Sequence, residues 1–479
     1  MSAPAPATVP QSLWRDIEVP PLGGLEAEAR VSVLLDGDAA AAGATTAALA
    51  AQTYPADLIE VITPGGEAEP AGDVIVALAA GAVPAPEFIE AHARWHHAVT
   101  DAVSLGPVAP ERAEADAPLG LVRDLTRDFT DLGGGHHLAA AEGSIAMRRE
   151  LYEEAGGAGT APPGVRQLDL AYRLHCAGAV FVSEPQAPAR GAAGGLAAAV
   201  ARACAEGRTL ELEHPAAAAI VALPPFREVA PARRYARPAL AANLRVDDTT
   251  PADEALATIA GALGGRLGDL ELRVQVDEGH PGYAQVAAAV ADDSRAALEP
   301  SSLDEACEVP LQVTLPPVAA LDPRTLADLH ELALDEAVGA LHVTVPGAAP
   351  QDAMIEVVAT AAWRRAQRLA AATGDEPVQV IARLFGERWV SGVEVSTRRH
   401  GVAEPQVTEH GPLAAATDLD HERNAHLRFL ARADDLAERA SNLGQRALVE
   451  RLRAREARRA AERVEARLAN LDRGGSASH

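Results

Sequence analysis

Lysine is missing from this chain: every one of its 42 basic residues is arginine. That excludes Schiff-base chemistry, a P-loop lysine and any other lysine-dependent catalysis. Aromatic residues are scarce, at 3%. Few positions are therefore left for stacking ring-shaped ligands, and methyl groups, Leu and Val must fill the interior. Three cysteines, Cys176, Cys204 and Cys307, are odd in number and far apart, so neither a disulfide framework nor a zinc cluster is implied. No stretch of eighteen uncharged apolar residues occurs, and MSAPAPATVP at the start carries no basic n-region. The expectation is a reduced, cytosolic protein without an integral membrane segment.

What is present is an acidic chain of 479 residues with a formal charge of −26 and 48% apolar residues. The length allows two to four domains with sizeable cores. The net acidic field disfavours nucleic acid and anionic membranes as partners.

Residues 1–28 read as a disordered, Pro/Ala-rich segment. Short apolar runs then alternate with helical stretches. VSVLL (31–35), LIEVI (58–62), VIVALA (74–79) and Ala102–Leu105 read as strands, with helices over 44–52 and about 87–97. This alternation predicts an α/β fold with a parallel, doubly wound sheet. The pattern then repeats. Leu240–Val246 and Leu270–Val276 read as strands about a helix at 253–263. VIVALAAGAVPAP (74–86) matches LQVTLPPVAALDP (311–323) in strand, loop and proline spacing, and a helix and a strand follow each. Two tandem α/β domains are expected, at 29–225 and 232–412. A C-terminal helical segment at 418–479 is expected to follow. From His421 onward it holds 13 Arg against 9 acids, and it carries an apolar stripe through Leu443, Leu448, Leu452, Val464, Leu468 and Leu471. Packing on its own domain and self-association are equally open to it.

Four blocks carry a family resemblance. AQTYP (51–55) precedes the strand LIEVI. GDVIVALAAGAVPAPEFIEAH (72–92) joins a buried strand to a P-x-F-I helix. SIAMRRELYEEAGG (144–157) and LDLAYRLHCAGAVFV (168–182) follow in order. Over about 150 residues, from the strand at Val31 to Val182, the chain resembles a family 2 glycosyltransferase. That resemblance implies a GT-A, Rossmann-like nucleotide-diphospho-sugar transferase fold in the first domain, with a more eroded copy in the second.

The polar positions that the resemblance assigns to chemistry are gone. The family's base-binding Asp after the second strand has no counterpart in Thr63-Pro64-Gly65-Gly66. Its D-x-D motif, which holds a divalent metal against the diphosphate, is matched by Ala79-Ala80-Gly81, which offer no side-chain oxygen. Its catalytic E-D pair is matched by Arg166-Gln167, and neither side chain is a base. No metal cofactor is expected.

Several residues remain as candidates. Asp169 could serve as a displaced base or lie on a helix surface. Asp36 and Asp38 end the first strand, where ligands of open sheets bind, or form a solvated turn. Arg148 and Arg149 match a basic pair that could contact phosphate, or are ordinary charges at a helix start. His136 and His137 follow three glycines in a flexible loop that could cover a diphosphate, or whose imidazoles could bind a metal. His92 and His96, four apart on a helix, read as a solvated face. In the second domain Asp247-Asp248 and Asp277-Glu278 stand at strand ends, and Leu315-Pro316-Pro317 offers no metal motif. Trp389 reads as a core anchor or a stacking platform for a sugar or base.

Two functions follow. One is a degenerate glycosyltransferase homologue, a non-catalytic binding or scaffold subunit linked to surface-glycan synthesis. Its partner would be a second copy or an active glycosyltransferase, met through the C-terminal helices. The other is an active, metal-independent transferase using a nucleotide sugar, with Arg148, Arg149, His136 and His137 offsetting phosphate charge and Asp169 or Asp36 as base.

Overall fold

The computed structural model describes residues 5–399 apart from 10, 26–27, 64–68, 110–142, 163–164, 192–210, 212–213, 223–225, 228–233, 299–307, 337, 347, 349–353, 393–394 and 396. The expected helical segment at 418–479, and His136 and His137, lie outside the described residues. One compact unit takes in 1–204 and 208–402.

The first sheet is built from β1 (Val31–Asp36), β2 (Ile59–Ile62), β3 (Val74–Ala79), β4 (Val83–Pro84), β5 (Ala102–Ala109), β6 (Gly143–Arg148), β7 (Val180–Ser183) and β8 (Ala189–Arg190), in the order β2-β1-β3-β6-β5-β8-β4 with β7 also on β5. Its helices are α1 (Ala42–Ala50), α2 (Phe88–Ala98), α3 (Arg149–Glu154) and α4 (Arg166–Cys176), and a short α5 (Pro215–Ile220) follows. β3 is buried along almost its whole length, as expected of a strand covered on both faces.

The sheet is mixed rather than parallel. β1 pairs in parallel with β2 and β3, but β6 lies antiparallel between β3 and β5. The segment SIAMR re-enters the sheet from its other end, a direction that an apolar run does not encode.

The second sheet repeats the plan. β9 (Leu240–Val246), β10 (Leu270–Val276), β11 (Ala296–Leu298), β12 (Leu311–Leu315), β14 (Ala340–Thr344), β15 (Met354–Ala359) and β16 (Glu387–Ser391) stand in the order β11-β10-β9-β12-β15-β14-β16, beside a separate pair of β13 (Ala319–Leu321) and β17 (Thr397–Arg399). β9 is parallel to β10 and β12, β15 is antiparallel to β12 and β14, and β16 is parallel to β14. These are the partners and directions of β1, β2, β3, β6, β5 and β7. Even the short antiparallel β4–β8 pair has its counterpart in β13–β17. Helices α6 (Ala252–Leu263), α7 (Tyr283–Ala291), α8 (Thr325–Glu336), α9 (Thr360–Thr373) and α10 (Pro377–Leu384) cover the second sheet.

The N-terminal segment, expected to lack fixed structure, is packed where it is described. Trp14 is buried with its ring 5.8 Å from that of Trp95. The amide of Ala7 donates to Asp101 Oδ1 at 2.8 Å, and the carbonyls of Ala7 and Val9 accept from the buried guanidinium of Arg365 on α9. A few well-placed apolar and ionic anchors thus order a stretch whose composition alone would leave it loose.

Further ties cross between the two halves. Tyr172 Oη donates to the Glu308 carbonyl at 2.9 Å, and Arg368 reaches Glu154 at 2.9 Å and the Gly178 carbonyl at 2.8 Å. Gly178 sits at φ +75° against α9, where an added Cβ would lie 2.5 Å from the Ala361 carbonyl oxygen and 2.7 Å from the Arg365 nitrogen. Both neighbours are backbone and cannot step aside. Gly178→Ala is therefore expected to cost about 2–4 kcal/mol, read as a lower urea midpoint. An unchanged midpoint would mean that the two halves can part here without cost.

Candidate functional site

A cleft of about 520 Å³ opens at the carboxyl ends of β1 and β2. Its walls are the last residues of β1, Ile62 and Thr63, the end of α3 with the glycine turn after it, and the first turn of α4. This is where open α/β sheets bind ligands, because the strand ends and the loops after them leave a crevice there.

Asp36 and Arg166 meet in this cleft, Oδ1 to Nη1, at 3.7 Å. Asp36 Oδ1 is shielded from solvent and accepts no hydrogen bond. Next to Arg166, Gln167 Nε2 donates to the Gly143 carbonyl. The described lining holds three carboxylates, Asp36, Glu69 and Glu153, against the single cation Arg166. Ala79 is the register partner of Asp36 across β1 and β3. The turn after it is folded onto backbone and hydroxyl: Ala80 N donates to the Asp36 carbonyl at 2.7 Å, and Gly81, at φ +94°, donates to Thr45 Oγ1 at 2.9 Å. Among the described residues no three His, Cys, Asp or Glu side chains come together to hold a metal ion.

The remaining candidates lie elsewhere. Asp38 caps the 3-10 turn Ala39–Ala41, accepting from Ala40 N at 2.9 Å, so it makes the turn rather than facing the cleft. Asp169 points away from the cleft into the protein. Its carboxylate is fully buried between Arg173 Nε, at 3.0 Å, and Arg237, which leaves it no path to an acceptor hydroxyl. Arg148 and Arg149 sit at the wrong end of the sheet. Because β6 is antiparallel, Arg148 pairs with Val74 at the start of β3, about 16 Å of strand from Ala79. There Arg148 donates to the His96 carbonyl at 2.9 Å and Arg149 pairs with Asp73 at 3.4 Å.

His92 and His96 are buried, not solvated, because α2 packs almost all round. The ring nitrogens of His92 lie 2.8 and 2.9 Å from the hydroxyls of Ser104 and Ser144. Burial pushes its pKa down to about 3. Both ring nitrogens of His96 lack a hydrogen-bond partner, and burial, with the nearby His92, Arg148 and His97, drives its pKa far below the usual imidazole value. These are neutral core histidines.

Sequence reasoning missed the buried Glu184, which follows β7. It accepts from Arg94 Nε and Nη2, at 2.8 and 2.6 Å, and from the Trp95 indole at 2.8 Å. The partners lie some 90 residues apart, so no local motif announces them.

On the second sheet a cleft of about 510 Å³ lies at the ends of β9 and β10. Asp247 and Asp277 line it but are committed to turns. Asp247 Oδ1 accepts from Thr249 N and Oγ1 and from Thr250 Oγ1, which hold its carboxyl below the usual range, and Asp277 Oδ1 accepts from Gly279 N at 2.8 Å. Trp389 is 59% exposed, so it is not a core anchor.

No family model matches the chain. No curated protein matches it. Among solved structures, the mannosyltransferase PcManGT from Pyrobaculum calidifontis, in complex with GDP-Man and Mn2+, is similar at 18% identity and a TM-score of 0.27, over 40% of this chain. The chain spans 64% of that protein's length. Likeness at this level does not define shared topology. Among the described residues no helix is long and apolar enough to cross a membrane.

Proposed function

We propose that this chain is a glycosyltransferase-like protein made of two GT-A-type repeats, whose first cleft binds a nucleotide or nucleotide sugar without transferring the sugar. The observation that carries the reading is the Asp36–Arg166 pair at the carboxyl edge of β1, opposite Ala79-Ala80-Gly81. Transfer requires a group that accepts the acceptor's proton and a cation that stabilises the leaving diphosphate. Arg166 stands where the resemblance places the base, and alanine and glycine stand where it places the metal ligands. Arg166 also claims Asp36, the one acid at the end of β1 that faces the cleft. In this reading the protein serves as a binding or scaffold subunit beside an active glycosyltransferase of surface-glycan synthesis, with residues 418–479 as its contact segment.

The test is a panel of nucleotide sugars and free nucleoside diphosphates, each with and without Mn2+, read by thermal unfolding and by release of nucleoside diphosphate. A bound ligand at about 100 times its Kd adds about 2.7 kcal/mol and raises the midpoint. The expected result is a midpoint shift with one nucleotide class, independent of metal, and no release above the protein-free rate. Protein-dependent release without metal, abolished by Asp36→Asn, would restore the active metal-independent transferase. No shift with any nucleotide would remove the binding part of the reading.

A further inference from the structure

Three strands of the second sheet present a small grid of side chains on one face. The register places Glu356 of β15, His342 of β14 and Trp389 of β16 in one row across the sheet. His342 is buried and its ring stacks on the indole, with centroids 4.6 Å apart and planes 26° apart. Its ring nitrogens accept and donate no hydrogen bond, and they look toward Glu356 at 3.8 Å and Glu387 at 3.6 Å. The imidazole thus fixes one face of the indole, while the Trp389 side chain remains 59% exposed. Both carboxylates are more than a third open to solvent or close to it.

This patch belongs to the outermost strand. Among the described residues nothing pairs with the far side of β16. A strand added there would lie about 4.8 Å away, and its residue opposite Trp389 would meet the free face of the indole as His342 meets the other. The chemistry that fits that slot is a guanidinium. It is planar and stacks on an aromatic face, and its fork of N–H donors suits a carboxylate such as Glu387, two residues before Trp389 on the same face. Charge points the same way: the patch offers two carboxylates on a body of formal charge −26, which attracts a cation and repels an anion.

We propose that the β14–β15–β16 face is a docking site for an arginine carried on an extended segment of a partner protein, which adds to β16 and stacks its guanidinium on Trp389. The proposal does not depend on what the first cleft binds. Main-chain pairing to the strand edge would supply affinity, and the Trp389–Glu387 slot would supply the choice of side chain.

The experiment titrates the full chain with the capped pentapeptide Thr-Val-Arg-Val-Thr and follows tryptophan fluorescence and its quenching by acrylamide. Trp14 and Trp95 are buried and Trp363 is half-buried, so Trp389 is the most exposed of the four indoles, and a Trp389→Ala control isolates its share of the quenchable signal. Peptides with citrulline or glutamate in place of arginine, and a neutral hexasaccharide, are run in parallel. The arginine peptide should bind and shield the indole. Citrulline, isosteric but uncharged, should weaken binding about tenfold, and Trp389→Ala, read by calorimetry, should do the same. Glu387→Gln should weaken it about threefold. Both substituted side chains are exposed, and unchanged circular dichroism confirms the fold. Equal binding of the citrulline peptide, no effect of Trp389→Ala, no binding of the arginine peptide, or shielding by the hexasaccharide instead would each overturn the proposal.

Discussion

Lowering the pH from 7 to 5 is expected to remove at least about 4 kcal/mol of stability from this protein, a large share of the roughly 5–15 kcal/mol that a folded chain normally has. The cause is three imidazoles sealed in the interior. Burial pushes His92 down to about 3 and His330 down to about 4, and holds His96 far below its ordinary value, where Arg148 and His97 add repulsion. The folded protein keeps all three neutral because charging any of them would place an ion among apolar groups. The unfolded chain has no such restraint and takes up protons as the pH falls below about 6.5. The unfolded state therefore binds more protons through this window. Stability is fully present above the unfolded pKa and is lost as the pH falls toward the folded values. His92 and His330 each contribute about 2 kcal/mol of loss by pH 5, and His96 adds to the loss in the same direction. Urea unfolding at pH 7, 6 and 5 measures this directly. His330→Leu should reduce the loss by about 2 kcal/mol, because its Nε2 has no partner to forfeit. A flat profile between pH 7 and 5 would mean that water or a carboxylate reaches these rings in the folded protein.

The elements of the fold were legible where one strand or helix is decided by its own residues. VIVALA, VSVLL and LIEVI contain little but β-branched and aliphatic side chains, and they became β3, β1 and β2 within a residue or two of their expected bounds. The spacing shared by 74–86 and 311–323 placed β3 and β12 at the same position in two sheets of one plan. What was not legible is direction. The run SIAMRR gives no sign that it enters antiparallel, and that one fact carries Arg148 and Arg149 to the end of the sheet away from the cleft. Long-range partners were equally silent. Arg365 anchors carbonyls near the N-terminus some 350 residues away, and Glu184 gathers Arg94 and Trp95 across the core. The cleft was half visible. Asp36 and Arg166 stood out singly, one by its place after a strand and the other by its place in a motif. That they face each other is a consequence of folding.

Removing the carboxylate of Asp169 is expected to cost about 3–5 kcal/mol of stability and to leave ligand binding at the first cleft unchanged. The side chain lies in the first turn of α4, fully buried, with Arg173 Nε on one oxygen at 3.0 Å and Arg237 on the other. Arg173 is itself buried and donates to the Ala155 carbonyl, while Arg237 continues to Glu308 at 2.6 Å, so the carboxylate ties α4 to the chain entering the second sheet. Asp169→Ala leaves the Arg173 guanidinium in the interior with no counter-charge, and that uncompensated ion is the dominant cost. Asp169→Asn keeps the shape and one acceptor oxygen, so it should lose less. Asp169→Leu combined with Arg173→Leu removes both buried charges and should recover part of the loss. The contrast with Asp36 is the informative part. Its contact with Arg166 is longer, at 3.7 Å, and Arg166 is open to solvent at the cleft, so Asp36→Asn should cost no more than about 1 kcal/mol. Asp36→Asn should instead alter the ligand-induced midpoint shift, because it changes the charge of the cleft wall. One aspartate then moves stability and not ligand response, and the other moves chiefly ligand response. If Asp169→Ala were as stable as the parent and lost ligand response, the carboxylate would face the cleft in solution, and its role as a displaced base would return.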